Sequence, residues 1–171
     1  LGHHDLPQGI EISGCHNVVG RDEENVHKHV NFYRGDCEDL EYMTKIMKDT
    51  DVVCHTAAYA HEGLSVFSPF EITKNNYLAS VSIFSAAVNE KVKRIIFCSS
   101  MARYGNQKSP FTEDMTPNPV DPYGIAKVAS HFLVKSYRET FNFNASTGIL
   151  FNHESPRKSE QFVLRKISKS V

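Results

Sequence analysis

Residues 119–130 read PVDPYGIAKVAS, which puts Tyr123 and Lys127 four apart just after a Pro-rich turn. On a helix, positions i and i+4 share a face with about 5–6 Å between their Cβ atoms, so the phenol and the ammonium can point into one site. A neighbouring ammonium favours phenolate over phenol and draws the tyrosine below its reference pKa of about 10, which makes it a usable base. The spacing alone is weak, because many helices carry an exposed tyrosine and lysine at that distance. It gains weight from FCSS (97–100) upstream. Ser100 closes an apolar run and could hold the hydroxyl or carbonyl oxygen on which Tyr123 acts.

Positioning these residues requires a sheet and helices. Strand-like and helical runs alternate along the chain, which predicts an α/β fold with a parallel sheet and crossover helices. HVNFYRGD (29–36) reads as a strand ending in a turn, and CEDLEYMTKIMKD as a helix with Leu40, Met43, Ile46 and Met47 on one apolar face. The run DVVCHTAA (51–58) is a short strand. Residues 71–90 form a helix with an apolar stripe of Leu78, Val81, Phe84, Ala87 and Val88. RIIFCSS (94–100) is a buried-type strand, 102–122 a loop, 123–142 a long helix, STGILFN (146–152) a last strand, and FVLRKIS the start of another helix. Ligands of open parallel sheets sit at the carboxyl ends of the strands. That rule selects Asp36, Ala57, Ala58, Ser99, Ser100, Asn152 and His153, and sets the helix of Tyr123 and Lys127 directly after the strand of Ser100. Hydride loss from a carbinol, coupled to removal of its hydroxyl proton, is then the expected chemistry, with a nicotinamide as the usual hydride acceptor.

The bulk composition favours a small-molecule partner. The chain has 171 residues, 40% of them hydrophobic, enough for one compact core. Nineteen Lys and Arg against twenty Asp and Glu leave a formal charge of -1, with no basic field to draw a nucleic-acid backbone or an anionic membrane. No run approaches the ~18 apolar residues of a membrane span, and LGHHDLPQGI lacks the basic and apolar regions of a leader, so the expected location is the cytoplasm. Cys15, Cys37, Cys54 and Cys98 show no CxxC spacing, and three adjoin apolar or strand-like runs, where free thiols act as small buried hydrophobes. The nine histidines lack HxxxH or HExxH spacing, and no metal site is expected.

Five ordered motifs across roughly 29–171 resemble the extended short-chain dehydrogenase/reductases, the NAD-dependent epimerase/dehydratase family. GDCEDL (35–40) is similar to the turn whose Asp, here Asp36, contacts the adenine of the cofactor. HTAAYA (55–60) resembles the strand end beside the pyrophosphate and ribose, which assigns Thr56, Ala57 and Ala58 to cofactor binding. KNNYLAS (74–80) resembles the segment whose second Asn, here Asn76, supports that strand. FCSSMARYG (97–105) and DPYGIAK (121–127) match the most specific pair of motifs, which implies Ser100, Tyr123 and Lys127 as catalytic residues, with Tyr123 and Lys127 also holding the cofactor. The resemblance implies NAD, with NADP as the alternative, and a nucleoside-diphosphate sugar as substrate.

Two members of that family are echoed. Up to about residue 140 the wording resembles UDP-glucose 4-epimerases, whereas GILFNHESPR (148–157) and FVLRKISKSV (162–171) resemble GDP-mannose 4,6-dehydratases. A dehydratase must also take the C5 proton and expel the C6 hydroxyl, using a Glu two places after the catalytic Ser or Thr, sometimes with an Asp between. Here those positions are Met101 and Ala102, neither of which moves a proton, unless His153 or Glu154 substitutes. The expectation is therefore a 4-epimerase, with the dehydratase as the alternative. By the same resemblance Asn152 binds the sugar-nucleotide diphosphate, Ser100 the sugar, and Arg165 and Lys166 the phosphate oxygens. The same resemblance implies that His153, Glu154 and Arg157 line the nucleotide-sugar pocket.

The front of the chain departs from the pattern. Gly14 and Gly20 have the outer spacing of a GxxGxxG loop but lack its central glycine, and no apolar strand precedes them. GRDEENVHKH reads as the loop after the family's second strand. The expectation is a Rossmann-like domain over 1–152 without its N-terminal glycine-loop unit, followed at 153–171 by the start of the sugar-nucleotide region. A non-catalytic fragment or scaffold of this fold is the rival reading. A homodimer through the helices at 71–90 and 123–142 is expected of the complete protein.

Overall fold

The computed structural model describes residues 9–16, 26–60, 65–155 and 162–170. They fall into two compact units, one from Leu1–Gly35 with Asn152–Val171 and the other Asp36–Phe151. Each is described by itself.

In the first unit, β1 (Ile12–His16) pairs in parallel with β2 (Val30–Arg34), with Gly14 opposite Phe32. β2 lies within the predicted strand, whereas β1 went unrecognised. Its pentapeptide ISGCH carries only two apolar side chains and is nowhere fully buried, so it lacks the hydrophobic run that marks a parallel strand. Gly14 is therefore a strand residue. A Cβ there would meet only Val30 Cγ1, at an ordinary 3.4 Å. Gly20 lies outside the described residues. The unit also holds helix α5 (Val163–Ser170), as FVLRKIS predicts.

The second unit alternates helix and strand. Helix α1 (Leu40–Met47) leads to β3 (Val52–His55). A helix in three segments follows: α2 (Pro69–Ile72), a π-helical stretch (Thr73–Leu78) and α3 (Ala79–Asn89). Next come β4 (Arg94–Ser100), a 3-10 turn (Met101–Tyr104), α4 (Pro122–Phe141) and β5 (Ala145–Leu150). The strands form one parallel sheet in the order β3-β4-β5, with His55 beside Phe97 and Ser100 beside Leu150. Helices α3 and α4 pack on it. The core centres on Ile95 and Phe97 from β4 and Phe84 from α3, with the Phe84 and Phe97 rings edge to face at 6.4 Å.

Three expectations about burial change. In α1, Met43 and Met47 are buried but Leu40 is exposed. The predicted stripe through Leu78 also fails at its first member, which is 51% exposed. A π stretch closes i→i+5 hydrogen bonds and so turns the helix face out of the 3.6-residue phase. Asn76 then points inward, and the buried stripe passes through Ala79, Ile83, Phe84 and Ala87. None of the four cysteines is fully buried, and Cys54 is exposed because it alternates with inward-facing Val53 and His55 on an edge strand. Among the described residues no helix is long and apolar enough to cross a membrane.

Candidate functional site

The carboxyl ends of β3 and β4 and the start of α4 converge. Asp121 caps α4 by accepting a hydrogen bond from Gly124 N–H at 2.8 Å, and Pro122 occupies the first turn, where its missing N–H costs nothing. Tyr123 and Lys127 then face inward from that helix, only 8% and 4% exposed. The Lys127 ammonium donates to the Cys98 carbonyl at 2.9 Å and stands 5.1 Å from the Phe97 ring and 5.9 Å from the Tyr123 ring. Burial pulls its pKa down to about 8, against a smaller upward pull from the Cys98 thiol.

Ser100 ends β4 and is itself buried. Its Oγ accepts from Ala102 N–H at 3.2 Å and so caps the 3-10 turn. With a lone pair engaged there, the hydroxyl keeps its proton to donate elsewhere. Tyr123 packs with Ile72 and Ala126, and Ala58, Tyr59, Tyr77 and Ala102 lie against that cluster. The segment 56–60, the turn after Ser100 and the start of α4 therefore meet, as the sequence predicted.

Asn76 holds this junction. Buried to 2% exposure, it accepts from Tyr59 N–H through Oδ1 at 2.7 Å and donates through Nδ2 to the Tyr59 carbonyl at 3.2 Å. Thr56 is exposed, with Ala57 and Ala58 half-buried beside it. Asp36 makes an Asx-type contact with Glu38 N–H at 3.3 Å, and the cap of α1 is Asp39, which accepts from Tyr42 N–H. Asp36 is thus not the helix cap and keeps acceptor capacity. Asn152, Arg165 and Lys166 belong to the other unit. There Asn152 and Lys166 are exposed, and Arg165 Nε is buried with no hydrogen-bond partner among the described residues.

Two features escaped the sequence reading. Gly124 brings the α4 backbone so close to the turn after Ser100 that a Cβ would lie 3.0 Å from the Ala102 carbonyl oxygen. His55, the last residue of β3, is fully buried and bonded to Ser80. Its one sequence signal is a histidine at the end of an otherwise apolar strand.

A family profile described as GDP-mannose 4,6 dehydratase matches residues 8–171. The chain is 31% identical over 159 residues to a GDP-mannose 4,6-dehydratase of Yersinia enterocolitica, covering 90% of this chain and 43% of that protein. It is 40% identical over 106 residues to a UDP-glucose 4-epimerase of Lactobacillus helveticus, 60% of this chain and 32% of that one. The crystal structure of Thermus thermophilus UDP-glucose 4-epimerase in complex with NAD superposes with a TM-score of 0.84 at 26% identity, over 89% of this chain and 50% of that one. The chain thus spans half or less of the length of each of these relatives.

Proposed function

Because the chain belongs to the GDP-mannose 4,6-dehydratase family of NAD-dependent epimerases and dehydratases, we propose that it carries the catalytic core of a nucleotide-sugar 4-epimerase. In this reading Tyr123 takes the proton from the sugar C4 hydroxyl, Ser100 donates a hydrogen bond to the same oxygen, and Lys127 favours the phenolate. NAD, which the Thermus relative binds, is the proposed cofactor, with NADP as the alternative. When bound it supplies the acceptor and later the donor of the C4 hydride.

The residues around Tyr123 fit the ribose and nicotinamide end of such a cofactor. Lys127 has three donor protons, one of which goes to Cys98, leaving others for ribose hydroxyls and the Tyr123 oxygen. Thr56, Ala57 and Ala58, suspended next to Asn76, are the proposed lining, and Asp36 the adenine contact. Among the described residues no glycine-rich turn opens a helix to hold the phosphate end. Asn152, Arg165 and Lys166 are proposed for the sugar-nucleotide diphosphate, with 153–171 as the start of that region.

The choice of epimerase rests on one observation. The two residues after Ser100 are Met101 and Ala102 in the 3-10 turn, and neither can remove the C5 proton. Epimerisation needs only oxidation, rotation of the 4-keto sugar and reduction on its other face. The second reading, a GDP-mannose 4,6-dehydratase, is favoured by the family profile and by the Yersinia relative. Product analysis after incubation with NAD and UDP-glucose or GDP-mannose separates them. A C4 epimer supports the first reading and a 4-keto-6-deoxy sugar overturns it.

For the complete protein a homodimer is proposed through the helices at 71–90 and 123–142, on which Leu78, Ile125 and Phe132 are exposed apolar side chains. Sedimentation of the complete protein reads this directly, and a monomer at micromolar concentration contradicts it.

A further inference from the structure

His55 is buried to 3% exposure and plays no part in the acid-base scheme above. Its Nε2 lies 2.8 Å from Ser80 Oγ, and Ser80 in turn donates to the Asn76 carbonyl at 2.6 Å. A serine hydroxyl has one proton, and here Asn76 receives it. Ser80 Oγ must therefore accept from His55, which requires the proton on Nε2. The other nitrogen, Nδ1, is buried without a partner among the described residues.

The same short stretch of helix grips the chain twice. Ser80 holds residue 55 and Asn76 holds residue 59, so four residues of loop run against four residues of helix in the opposite sense. Four extended residues span about 13 Å, while the corresponding helix rises only about 6 Å. The excess length is taken up by 56–58, between two fixed points. The His55 ring also lies 5.4 Å from Phe97, the ring that the Lys127 ammonium approaches at 5.1 Å. One aromatic side chain thus relates this peg to the Tyr123–Lys127 helix.

We propose that His55 is a positioning residue of the cofactor loop, an imidazole fixed as the Nε2–H tautomer by Ser80 that, with Asn76, suspends residues 56–58 in the shape that receives the dinucleotide. The proposal rests on the reading of 56–58 as cofactor-binding. It assigns the clamp to the His55–Ser80 bond, which a glutamine at 55 can imitate, since its amide nitrogen reaches the place of Nε2.

Long-range proton–nitrogen correlation spectra of the chain with labelled histidine test the tautomer. The expected result is a protonated Nε2 and a bare Nδ1, unchanged through the region near pH 6.5 where exposed histidines titrate. A protonated Nδ1, or titration in that region, overturns the proposal. His55→Gln is expected to bind NAD within about twofold of the parent chain, while His55→Leu and Ser80→Ala bind roughly tenfold more weakly, the size of one lost buried hydrogen bond. Equal affinity in a folded His55→Leu or Ser80→Ala chain overturns it. If the parent chain binds no NAD, the function reading fails, and hydrogen exchange at the Tyr59 amide still decides the clamp. Protection kept in His55→Gln and lost in Ser80→Ala supports it, and equal protection in all the chains overturns it.

Discussion

Gly124 stands against Ala102 so closely that a side chain there would crowd its carbonyl. A Cβ on the glycine would lie 3.0 Å from the Ala102 carbonyl oxygen and 3.1 Å from Pro119 Cβ. The approach of the Tyr123 helix to the turn after Ser100 is thereby limited by backbone as well as by the packing of Ala102 against the Tyr123 cluster. In an open helix, Gly→Ala stabilises by about 1 kcal/mol. Here the overpacking cost of about 1–3 kcal/mol opposes that gain, so Gly124→Ala is expected to be neutral to 2 kcal/mol destabilising (roughly, from the same two terms). Urea denaturation reads the sign, and a gain of a full ~1 kcal/mol shows that the two backbones are not in contact.

Asn76 carries a heavier load, because its amide satisfies both backbone groups of Tyr59. Asn76→Ala leaves them without partners and is expected to cost about 2–3 kcal/mol. Thermal or urea melting checks this, and a loss within ~0.5 kcal/mol, as at a surface position, contradicts the clamp.

Lys127 gives the fold a pH dependence at the alkaline end. Its pKa is about 8 when folded and 10.5 by its ordinary value. Between those two the unfolded chain holds the extra proton, so resistance to unfolding rises with pH, by up to ~1.4 kcal/mol per pH unit. Below the window the buried charge is a constant cost. Urea melts of the parent chain and Lys127→Met across this range are expected to diverge in favour of the parent as pH rises, and a constant difference contradicts the lowered value. NAD affinity moves the other way, falling above pH 8 as the ammonium is lost.

His55 acts at the acid end. Burial first, and the Lys127 charge second, lower its pKa to about 3 from 6.5. The unfolded chain therefore binds the extra proton between those values, and stability falls as pH drops from 6.5 toward 3. His55→Gln removes that titration, and its urea midpoint is expected to fall less steeply over the same interval. Parallel pH profiles for the two chains contradict the buried, neutral imidazole.

Much of this architecture was legible because it depends on local pattern. The run RIIFCSS, the periodic residues of 123–142 and the Pro-rich approach to Tyr123 each specify one element, and all three recur in the structure. The junction of 58–59 with Tyr123 followed from the rule that sites gather at strand ends. What stayed hidden depends on contacts distant in sequence or on broken periodicity. β1 is too polar to stand out, and the π stretch shifts the helical phase by a residue. The His55–Ser80 bond joins residues 25 apart, so no window of helical or strand length contains both.

In the proposed function the buried Tyr123–Lys127 face, with segment 56–60, receives a nicotinamide dinucleotide. Calorimetric titration of this chain with NAD, alongside Lys127→Ala, tests it most directly. Saturable binding at one site is expected, weakened at least roughly tenfold in Lys127→Ala, on the order expected for hydrogen bonds from a charged donor. A folded chain that gives no binding heat, or one that binds NAD equally well without Lys127, contradicts it.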